Sequence, residues 1–515
     1  MVCFFCEMAN AINIPKSHLI MGLSLPLAVL LGYFVAEPME LGSLAVVVFV
    51  LVVLSIPLMM KWYYPLLVLA WNASLCLAFL PGQPALWSIM AFVGLLFAVL
   101  SRAVSPNARF VIESSITKSL LILTGVVVAT GLMTGGIGFQ ILGSSQYGGK
   151  KFFIFLAAVA GYFVLTSRRI PPHRAGFYVA LFFLSGLTYA VSDLAAIGGP
   201  RLEFLSLFFP SASAVRDAAL ANPLRSGDVR RVGEFLMIAP ALLTYLLARF
   251  GVRKLLDLTQ PWRLLLLILA LGMGLLSGFR SFVLLSGLTF AGMFYLEGLH
   301  RTRYAPALLG ILLLGGVVVL PQADKLPLAA QRALTFLPGK FEYGARMSAS
   351  ATMSWRVQMW KDLLPEVPRC LLRGRGWGID AREFSTTVEM EDPLNPLSST
   401  MLVGDYHNGP LSILIPFGLY GMIAFVWFLI TGLRVLHRNW TFGDPALQIV
   451  NALLLASFAA RALFFFCCFG SLHGDMPFFL GLLGLSVALN GADASVAQAA
   501  QPATSVAFDT EYIKV

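Results

Sequence analysis

The stretch GDYHNGPLSILIPFGLYGMIAFVWFLITGL, residues 404–433, contains the change from a polar loop to a long apolar run. Its first residues include Asp405, His407 and Asn408, whereas residues 409–433 carry no charged side chain. About 20 consecutive apolar residues are enough to cross a bilayer as a helix. The stretch therefore predicts a membrane-spanning helix, and it places the titratable imidazole of His407 where loop and membrane meet.

The composition of the whole chain points to the same class of protein. Of the 515 residues, 58% are hydrophobic and only 12% are charged, with a net charge of +10. A soluble protein carries about 25% charged residues. Because a spanning segment must satisfy its own backbone hydrogen bonds, we predict an all-α, polytopic helical membrane protein. Basic inner loops facing anionic lipid head groups account for the positive charge, so no nucleic-acid partner is expected.

Apolar runs of sixteen or more residues predict about fourteen transmembrane helices. Lys and Arg concentrate in alternate short loops, Lys61 among them, which places both termini in the cytoplasm. Lys150 and Lys151 are the exception, since they lie on the outer side. The predicted spans are 18–36, 41–60, 63–80, 85–100, 117–134, 152–166, 176–195, 233–250, 262–278, 280–297, 304–320, 409–433, 446–470 and 476–490.

These spans divide the chain into four regions. An N-terminal bundle, 1–232, includes an external loop near 196–232, and the next region, 233–435, includes a larger external loop, about 321–408. Two further helices fill 436–490, and residues 491–515 form an Ala- and Ser-rich tail that we expect to be disordered. We call the segment 321–408 the long loop.

The long loop is strongly basic, although it lies outside. Such a surface suits a phosphate-bearing ligand, and the simpler alternative is a solvated surface balanced by Glu383, Glu389, Glu391 and Asp392. Ser354 is predicted to cap a short helix that starts near Trp355 and ends near Pro365–Pro368, before a Gly-rich turn, 371–380. The basic residues are Arg332, Lys340, Arg346, Arg356, Lys361, Arg369, Arg373, Arg375 and Arg382.

Two arginines on the outer side are candidates for binding an anion. Arg280 lies between two adjacent apolar runs, where an arginine is costly unless it is paired, reaches the interface or has a function. Arg356 and Trp360 are four residues apart and share a helical face, so the guanidinium can stack on the indole while it donates to a phosphate. The alternatives are an Arg280 that extends to the interface and an ordinary amphipathic surface helix around Arg356.

His407 is the candidate proton acceptor, because an unperturbed imidazole is partly neutral near pH 7. Asp405, two residues earlier, can orient it. The alternative is a structural role, with Asn408 capping the following helix. No Cys/His pattern typical of a metal site accompanies these residues, so we expect metal-independent chemistry without a cofactor.

Arg461 lies inside a predicted span. Such a residue is a functional candidate by default. The alternative is a structural ion pair with Asp475 or Glu234.

Three motifs, in this order, resemble those of the O-antigen ligase and O-antigen polymerase superfamily of bacterial inner-membrane proteins. SGFR, residues 277–280, resembles the S-G-S-R element, with Phe279 in place of a small residue. SWRVQMW, residues 354–360, followed by GRG, 374–376, resembles R-x-x-x-W…G-x-G. HNGPL, 407–411, followed by GLYG, 418–421, resembles H-N-x-x-L…G-L-x-G. The match covers about 230–435, and the N-terminal half agrees only in being a bundle of spans.

The resemblance implies a GT-C-like membrane glycosyltransferase whose active site faces the periplasm and whose catalytic region is 233–435. The donor would be a glycan on undecaprenyl diphosphate. The acceptor would be a hydroxyl of lipid A–core, of another lipid-linked glycan or of a protein, in an inverting and metal-independent transfer. The implied catalytic residues are His407, Arg280 and Arg356. The candidate substrate-binding residues are Arg375, Trp360, Asp405, Asn408 and Arg461.

Two alternative functions stay open at this point. A polymerase of the same superfamily differs from a ligase only in its acceptor, and the motifs do not separate the two. A flippase or transporter for lipid-linked sugars also has many spans and intramembrane arginines. A transporter needs polar groups along a path through the bilayer, whereas the polar candidates of this chain concentrate at the outer surface, which favours an enzyme.

Overall fold

The computed structural model describes most of the chain between residues 41 and 491. It divides into two compact units, Met1–Tyr63 and Tyr64–Val515, and all candidate site residues belong to the second. The predicted span 18–36 (apart from residues 29 and 32), the tail from 492 and much of the loop near 196–232 lie outside the described residues. Those described are 29, 32, 41–78, 80, 82–104, 110–135, 137–138, 146–197, 201–210, 233–390 and 397–491.

Long apolar helices make up the part of the chain before the long loop. They are apolar over most of their length because lipid or other helices cover their faces. Their bounds are α1 Leu41–Ala70, α2 Leu86–Val104, α3 Ser114–Thr134, α4 Gly149–Leu165, α5 Pro172–Leu184, α6 Tyr189–Ile197, α7 Phe235–Leu255, α8 Pro261–Leu276, α9 Arg280–Leu296 and α10 Tyr304–Val319.

The long loop contains several helices and pairs with the bundle through one short antiparallel ladder. In that ladder β1, Gln146–Tyr147, lies before α4 and pairs with β2, Ile379–Asp380. The helices of the long loop are α11 Leu328–Leu334, α12 Tyr343–Leu363, α13 Val367–Cys370, α14 Ala381–Met390 and α15 Leu397–Val403. The chain then returns to the bundle with α16 Leu411–Phe442, α17 Gln448–Cys467 and α18 Leu472–Asn490.

The chain is a polytopic helical membrane protein, but the predicted count of fourteen spans is not confirmed. Among the described residues, eight helical segments are long and apolar enough to cross a membrane, and three further apolar segments are shorter: Leu54–Ala70, Pro261–Leu276 and Arg280–Leu296. Every predicted span from 85–100 onward coincides with a helix, except that 176–195 comprises two helices, α5 and α6, joined by a 3-10 turn.

The division of the chain into spans 41–60 and 63–80 was wrong. The structure has one helix of 30 residues, α1, and the residues described between Trp71 and Ala85 are not helical. Lys61, which was assigned to an inner loop, is an exposed residue inside α1. A single lysine does not end a helix, because its long stem can extend along the apolar surface while the ammonium reaches water. The predicted alternation of inner and outer loops therefore does not hold before Ala70.

The helices α16, α17 and α18 are the most buried of the spanning candidates, and the earlier helices pack around them. α4 packs on α18, α3 on α16, and α9 on α17. The loops that precede α9 and α16, and the loop that follows α17, meet at one end of this bundle. Arg280, His407 and Phe469 lie in or beside these loops.

A break in α16 holds the Gly-rich turn of the long loop in place. Gly418 has a φ of 63°, which interrupts the helix and leaves carbonyl groups of the preceding turn without helical partners. The amides of Arg375 and Gly376 donate to the carbonyls of Ile415 and Pro416 at 2.9 and 2.8 Å. Gly374 has a φ of 72°, and a side chain there would overlap the backbone of Pro416. Backbone contacts therefore join the segment GRG, residues 374–376, to the break in α16 at Gly418.

The helix around Arg356 is longer than predicted. α12 begins at Tyr343, so Ser354 lies inside the helix, where its hydroxyl donates to the carbonyl of Ala351 at 3.1 Å. Serine is common at helix starts, but inside a helix it can bond to a carbonyl of the preceding turn. The predicted cap at Ser354 was therefore wrong. The end is close to the prediction, since Pro365 lies in a 3-10 turn directly after Leu363.

Candidate active site

Arg280 is the first residue of α9, and buried hydrogen bonds hold the turn before it. The hydroxyl of Ser277, a fully buried residue, donates to the carbonyl of Gly274 at 2.6 Å. Arg280 extends across to α12, where its Nη2 donates to the carbonyl of Ala349. Since Arg280 makes a specific contact with the long loop, free extension to the interface does not describe its position.

A buried arginine that the sequence analysis grouped with the other basic residues of the long loop fixes the same turn. Arg332 of α11 is only 5% exposed, and its Nη1 donates to the carbonyl of Gly278 at 2.7 Å. Its Nε and Nη2 donate to the hydroxyls of Ser348 and Thr352 on α12. A solvated surface is therefore the wrong interpretation for Arg332. The signal for its burial was the run of small apolar residues around it, LAAQRAL, 328–334.

Arg332→Met is expected to lower the stability of the folded protein. The change leaves the carbonyl of Gly278 and two hydroxyls without their donor, and each unsatisfied buried group costs about 1–3 kcal/mol. The thermal unfolding midpoint of the purified protein in detergent measures the effect. Arg346→Met is the matched control, because Arg346 is an exposed arginine on α12. Equal midpoints for the two variants would contradict the buried role of Arg332.

Arg356 lies seven residues after Ala349 on α12, two helical turns further along the same face. The pKa of its guanidinium is lowered, first by burial and then by the charge of Arg280, while Asp405 opposes the shift. Arg356 Nε is buried and has no hydrogen-bond partner among the residues that the structure describes. Arg280 and Arg356 thus lie close enough to interact, and the Nε donor of Arg356 is not used by the described residues. Clustered guanidinium groups with an unused donor are typical of an anion-binding site.

His407 lies in the turn before α16 and adopts a φ of 48°, which is uncommon for a residue with a side chain. Its ring lies between Trp355 and Phe469, with ring centroids 5.4 and 5.2 Å away. Burial lowers the pKa of His407 below its usual 6.5; the charge of Asp405 opposes this shift, and that of Arg356 adds to it. Within the described part of the chain, His407 Nδ1 is buried without a hydrogen-bond partner.

Phe469 connects the arginine to the histidine. Arg356 Cζ lies 5.4 Å above the centre of the Phe469 ring, and the other ring contact of Phe469 is with His407. Among the described residues, the ring that the Arg356 guanidinium lies over is that of Phe469, and the stacking on Trp360 stays a prediction. Phe469 lies in the short connection between α17 and α18, and nothing in the sequence distinguishes it from the other 39 of the 40 phenylalanines.

Trp360 helps to hold the turn that carries His407. Its indole Nε1 donates to the carbonyl of Tyr406 at 3.0 Å, and it packs against a buried cluster that includes Tyr406, Met359 and Leu411. Tyr406 is 1% exposed, and burial raises the pKa of its hydroxyl to about 12. Trp360 therefore contacts the residue next to His407, and its indole donor is already used within the protein.

Asp405 and Asn408 flank this turn. Asn408 Oδ1 accepts a hydrogen bond from the amide of Leu411 at 3.0 Å, which satisfies a free donor in the first turn of α16. Asp405 lies close enough to both His407 and Arg356 to favour their charged forms. The side chain of Asn408 thus caps the start of α16, whereas the charge of the Asp405 carboxylate acts on His407 and Arg356.

Arg375 contacts residues on the N-terminal side of His407, in and before the turn that carries it. Its Nη2 lies 3.4 and 3.3 Å from the carbonyls of Met401 and Leu402 and 3.4 Å from the hydroxyl of Tyr406. Its Nη1 is 4.0 Å from a carboxylate oxygen of Glu366. Its contacts in the structure are with the protein and hold α15 against the turn that carries His407.

Arg461 is paired with Asp475, one of the two partners expected from the sequence. Arg461 Nε donates to Asp475 Oδ1, and Asp475 Oδ2 accepts from the amide of Ser471 at 2.8 Å. Asp475 is 1% exposed, so the pair balances a buried charge. The guanidinium also lies over the rings of Phe464 and Phe478. This arrangement fixes the connection that contains Phe469.

Comparison with known proteins identifies the region that contains these residues. The family model described as O-antigen ligase matches residues 265–426. The match lies inside the region 233–435 and includes Arg280, Arg356 and His407. No curated protein matches the chain significantly.

Proposed function

We propose that this chain, whose residues 265–426 are an O-antigen ligase domain, transfers a glycan from undecaprenyl diphosphate to an acceptor hydroxyl. We further propose that it works in the bacterial inner membrane, with its site facing the periplasm. The observation that carries the proposal is the grouping of two arginines, Arg280 and Arg356, with a histidine whose pKa is lowered. This set supplies both an anion-binding site and a proton acceptor.

The arginines act on the donor. Arg280 and Arg356 bind the diphosphate, and their positive charge stabilises the negative charge that grows as the sugar leaves. The unpaired Arg356 Nε supports this role, since a buried guanidinium donor without a partner costs free energy until a ligand oxygen accepts from it. Charge stabilisation by arginine makes this step metal-independent.

His407 acts on the acceptor. Its neutral imidazole accepts the proton of the acceptor hydroxyl as the oxygen forms a bond to the anomeric carbon. The bond between that carbon and the diphosphate oxygen breaks, and the electron pair leaves with undecaprenyl diphosphate. A single displacement inverts the anomeric configuration. The side-chain donor of Trp360 holds the turn, and the carboxylate of Asp405 stabilises the imidazolium that forms in this step.

On the acid side, activity is expected to fall to half at a pH below 6.5. His407 must be neutral to accept a proton, and its pKa lies below 6.5 because of burial, with Asp405 opposing and Arg356 adding to the shift. The base form is therefore lost as pH falls through this lowered value. The pH profile of kcat/KM in vesicles measures this midpoint, and an acid midpoint above pH 6.5 would contradict the role of His407 as the base.

The acceptor decides between a ligase and a polymerase, and product analysis in a suitable host identifies it. The host makes lipid-linked glycan but lacks its own ligase and polymerase, and it receives either wild type or His407→Ala. Glycan on lipid A–core, made by wild type and not by His407→Ala, would establish the ligase. Longer lipid-linked glycan would establish the polymerase. Equal product from both proteins would remove His407 from the mechanism.

A further inference from the structure

Lys151 is one of the two lysines that depart from the distribution of basic residues between inner and outer loops. It lies in the first turn of α4, one residue before the predicted span 152–166. Lys151 Nζ donates to the carbonyl of Val403 at 2.6 Å, across more than 250 residues of sequence. Its neighbour Lys150 is exposed. The two adjacent lysines therefore have different environments, and only Lys151 reaches the turn that carries His407.

The start of α4 is held firmly against the long loop, so the position of Lys151 is well defined. The ladder of β1 with β2 ends two residues before α4 begins. Between them, Gly148 lies so close to the carbonyl of Trp377 that no side chain fits there. Trp377 is 4% exposed and packs against Phe152 of α4 and Phe417 of α16.

The charged and titratable groups that face Lys151 come from two parts of the chain. Asp405 and Arg375 belong to the long loop, and His473 belongs to α18. Burial lowers the pKa of the Lys151 ammonium to about 8, with Asp405 opposing the shift and Arg375 adding to it. A buried ammonium is costly unless it is paired. The carbonyl of Val403 and the carboxylate of Asp405 are the partners that offset this cost.

We propose that Lys151 is a positioning residue for the glycosyl transfer, which holds Val403 and Asp405 so that the imidazole of His407 stays neutral and correctly placed. The inference rests on the proposed function of His407. The carboxylate of Asp405 interacts with two positive charges, that of Lys151 and that of Arg356. Without Lys151, the carboxylate loses one of these two positive neighbours and acts more strongly on His407, which favours the imidazolium, a form that cannot accept a proton.

Chemical modification measures this effect independently of any substrate. Diethylpyrocarbonate reacts with neutral imidazole, so its rate at the His407 peptide, followed by mass spectrometry against pH, reports the pKa of that histidine. In Lys151→Met the midpoint is expected to rise by about 0.5 pH unit or more, since a charge opposing Asp405 is removed. Lys150→Met is the matched control, with the midpoint of wild type. An unchanged midpoint in Lys151→Met would overturn the proposal.

Kinetics in vesicles test the positioning role. Lys151→Met is expected to lower kcat about 10–100-fold, because a small displacement of the His407 imidazole from the acceptor hydroxyl has an effect of this size. KM for the lipid-linked donor is expected to stay unchanged, because the arginines that bind it are intact. Inactivity of wild type with every acceptor would reject the proposed function, whereas equal kcat in active wild type and Lys151→Met would reject only this inference.

The wild type and Lys151→Arg give a test that does not depend on the methionine variant folding. Wild-type activity is expected to decline above about pH 8, where Lys151 loses its proton and, with it, the attraction that holds Asp405 in place. Lys151→Arg keeps its positive charge at any accessible pH, so its activity is expected to continue unchanged through pH 9 to 10. The same alkaline decline in both proteins, or in neither, would overturn the proposal.

Discussion

His407→Ala is expected to lower kcat by about 10²–10⁴-fold, the range that a positioned general base contributes. The expected cause is the loss of the group that accepts the proton of the acceptor hydroxyl. Donor binding is expected to remain, because Arg280 and Arg356 do not depend on the imidazole for their backbone positions. The measurement is the turnover of purified protein in vesicles, with the KM for the donor determined separately from kcat.

His437→Ala serves as the control for this loss. His437 is an exposed histidine on α16, the helix that follows His407, and full activity is expected after its replacement. A second control is the acid limb of the pH profile, which is expected to be absent from the residual activity of His407→Ala. Full activity in His407→Ala would remove this residue from the mechanism.

Arg356→Lys is expected to be nearly as damaging as Arg356→Ala, with kcat/KM reduced about 10²–10³-fold. A guanidinium can donate two parallel hydrogen bonds to a diphosphate while its face lies on an aromatic ring, and an ammonium cannot. Arg356 lies over Phe469 and has a buried Nε without a partner in the described structure, so both properties matter here. The measurement is the initial rate at limiting donor concentration.

Arg346→Lys is the matched control for this change, since Arg346 is an exposed arginine on the same helix, and its rate is expected to equal that of wild type. Comparable rates for Arg356→Lys and wild type would mean that Arg356 acts only as a point charge. The bidentate contact with the diphosphate would then be rejected.

The apolar pattern predicted most helices because lipid exposure imposes a strong requirement on every residue of a span. It did not predict that α1 continues past Lys61, because a long charged side chain can leave the membrane without ending the helix. The pattern also missed the first three turns of α12. That part contains Ala, Ser and Met, and its apolar residues follow no clear helical stripe; contacts with Arg280 and Arg332 stabilise it in the folded protein.

The site was partly predictable for a different reason. Arg280, Arg356 and His407 each stand beside a loop or span boundary, where their residue types are unusual. The roles of Phe469, Arg332 and Lys151 could not be predicted, because they depend on contacts between segments far apart in sequence. Arg375 shows the same limit, since its contacts with Met401, Leu402 and Tyr406 depend on a turn that only the folded chain brings together.

The most direct test of the mechanism is the anomeric configuration of the product. Purified protein in vesicles receives a donor of defined configuration on undecaprenyl diphosphate together with an acceptor glycan. The configuration of the new linkage is then read by NMR. A single displacement, with Arg280 and Arg356 on the diphosphate and His407 on the acceptor hydroxyl, predicts complete inversion. Retention would require an intermediate attached to the protein and would contradict the proposed role of His407.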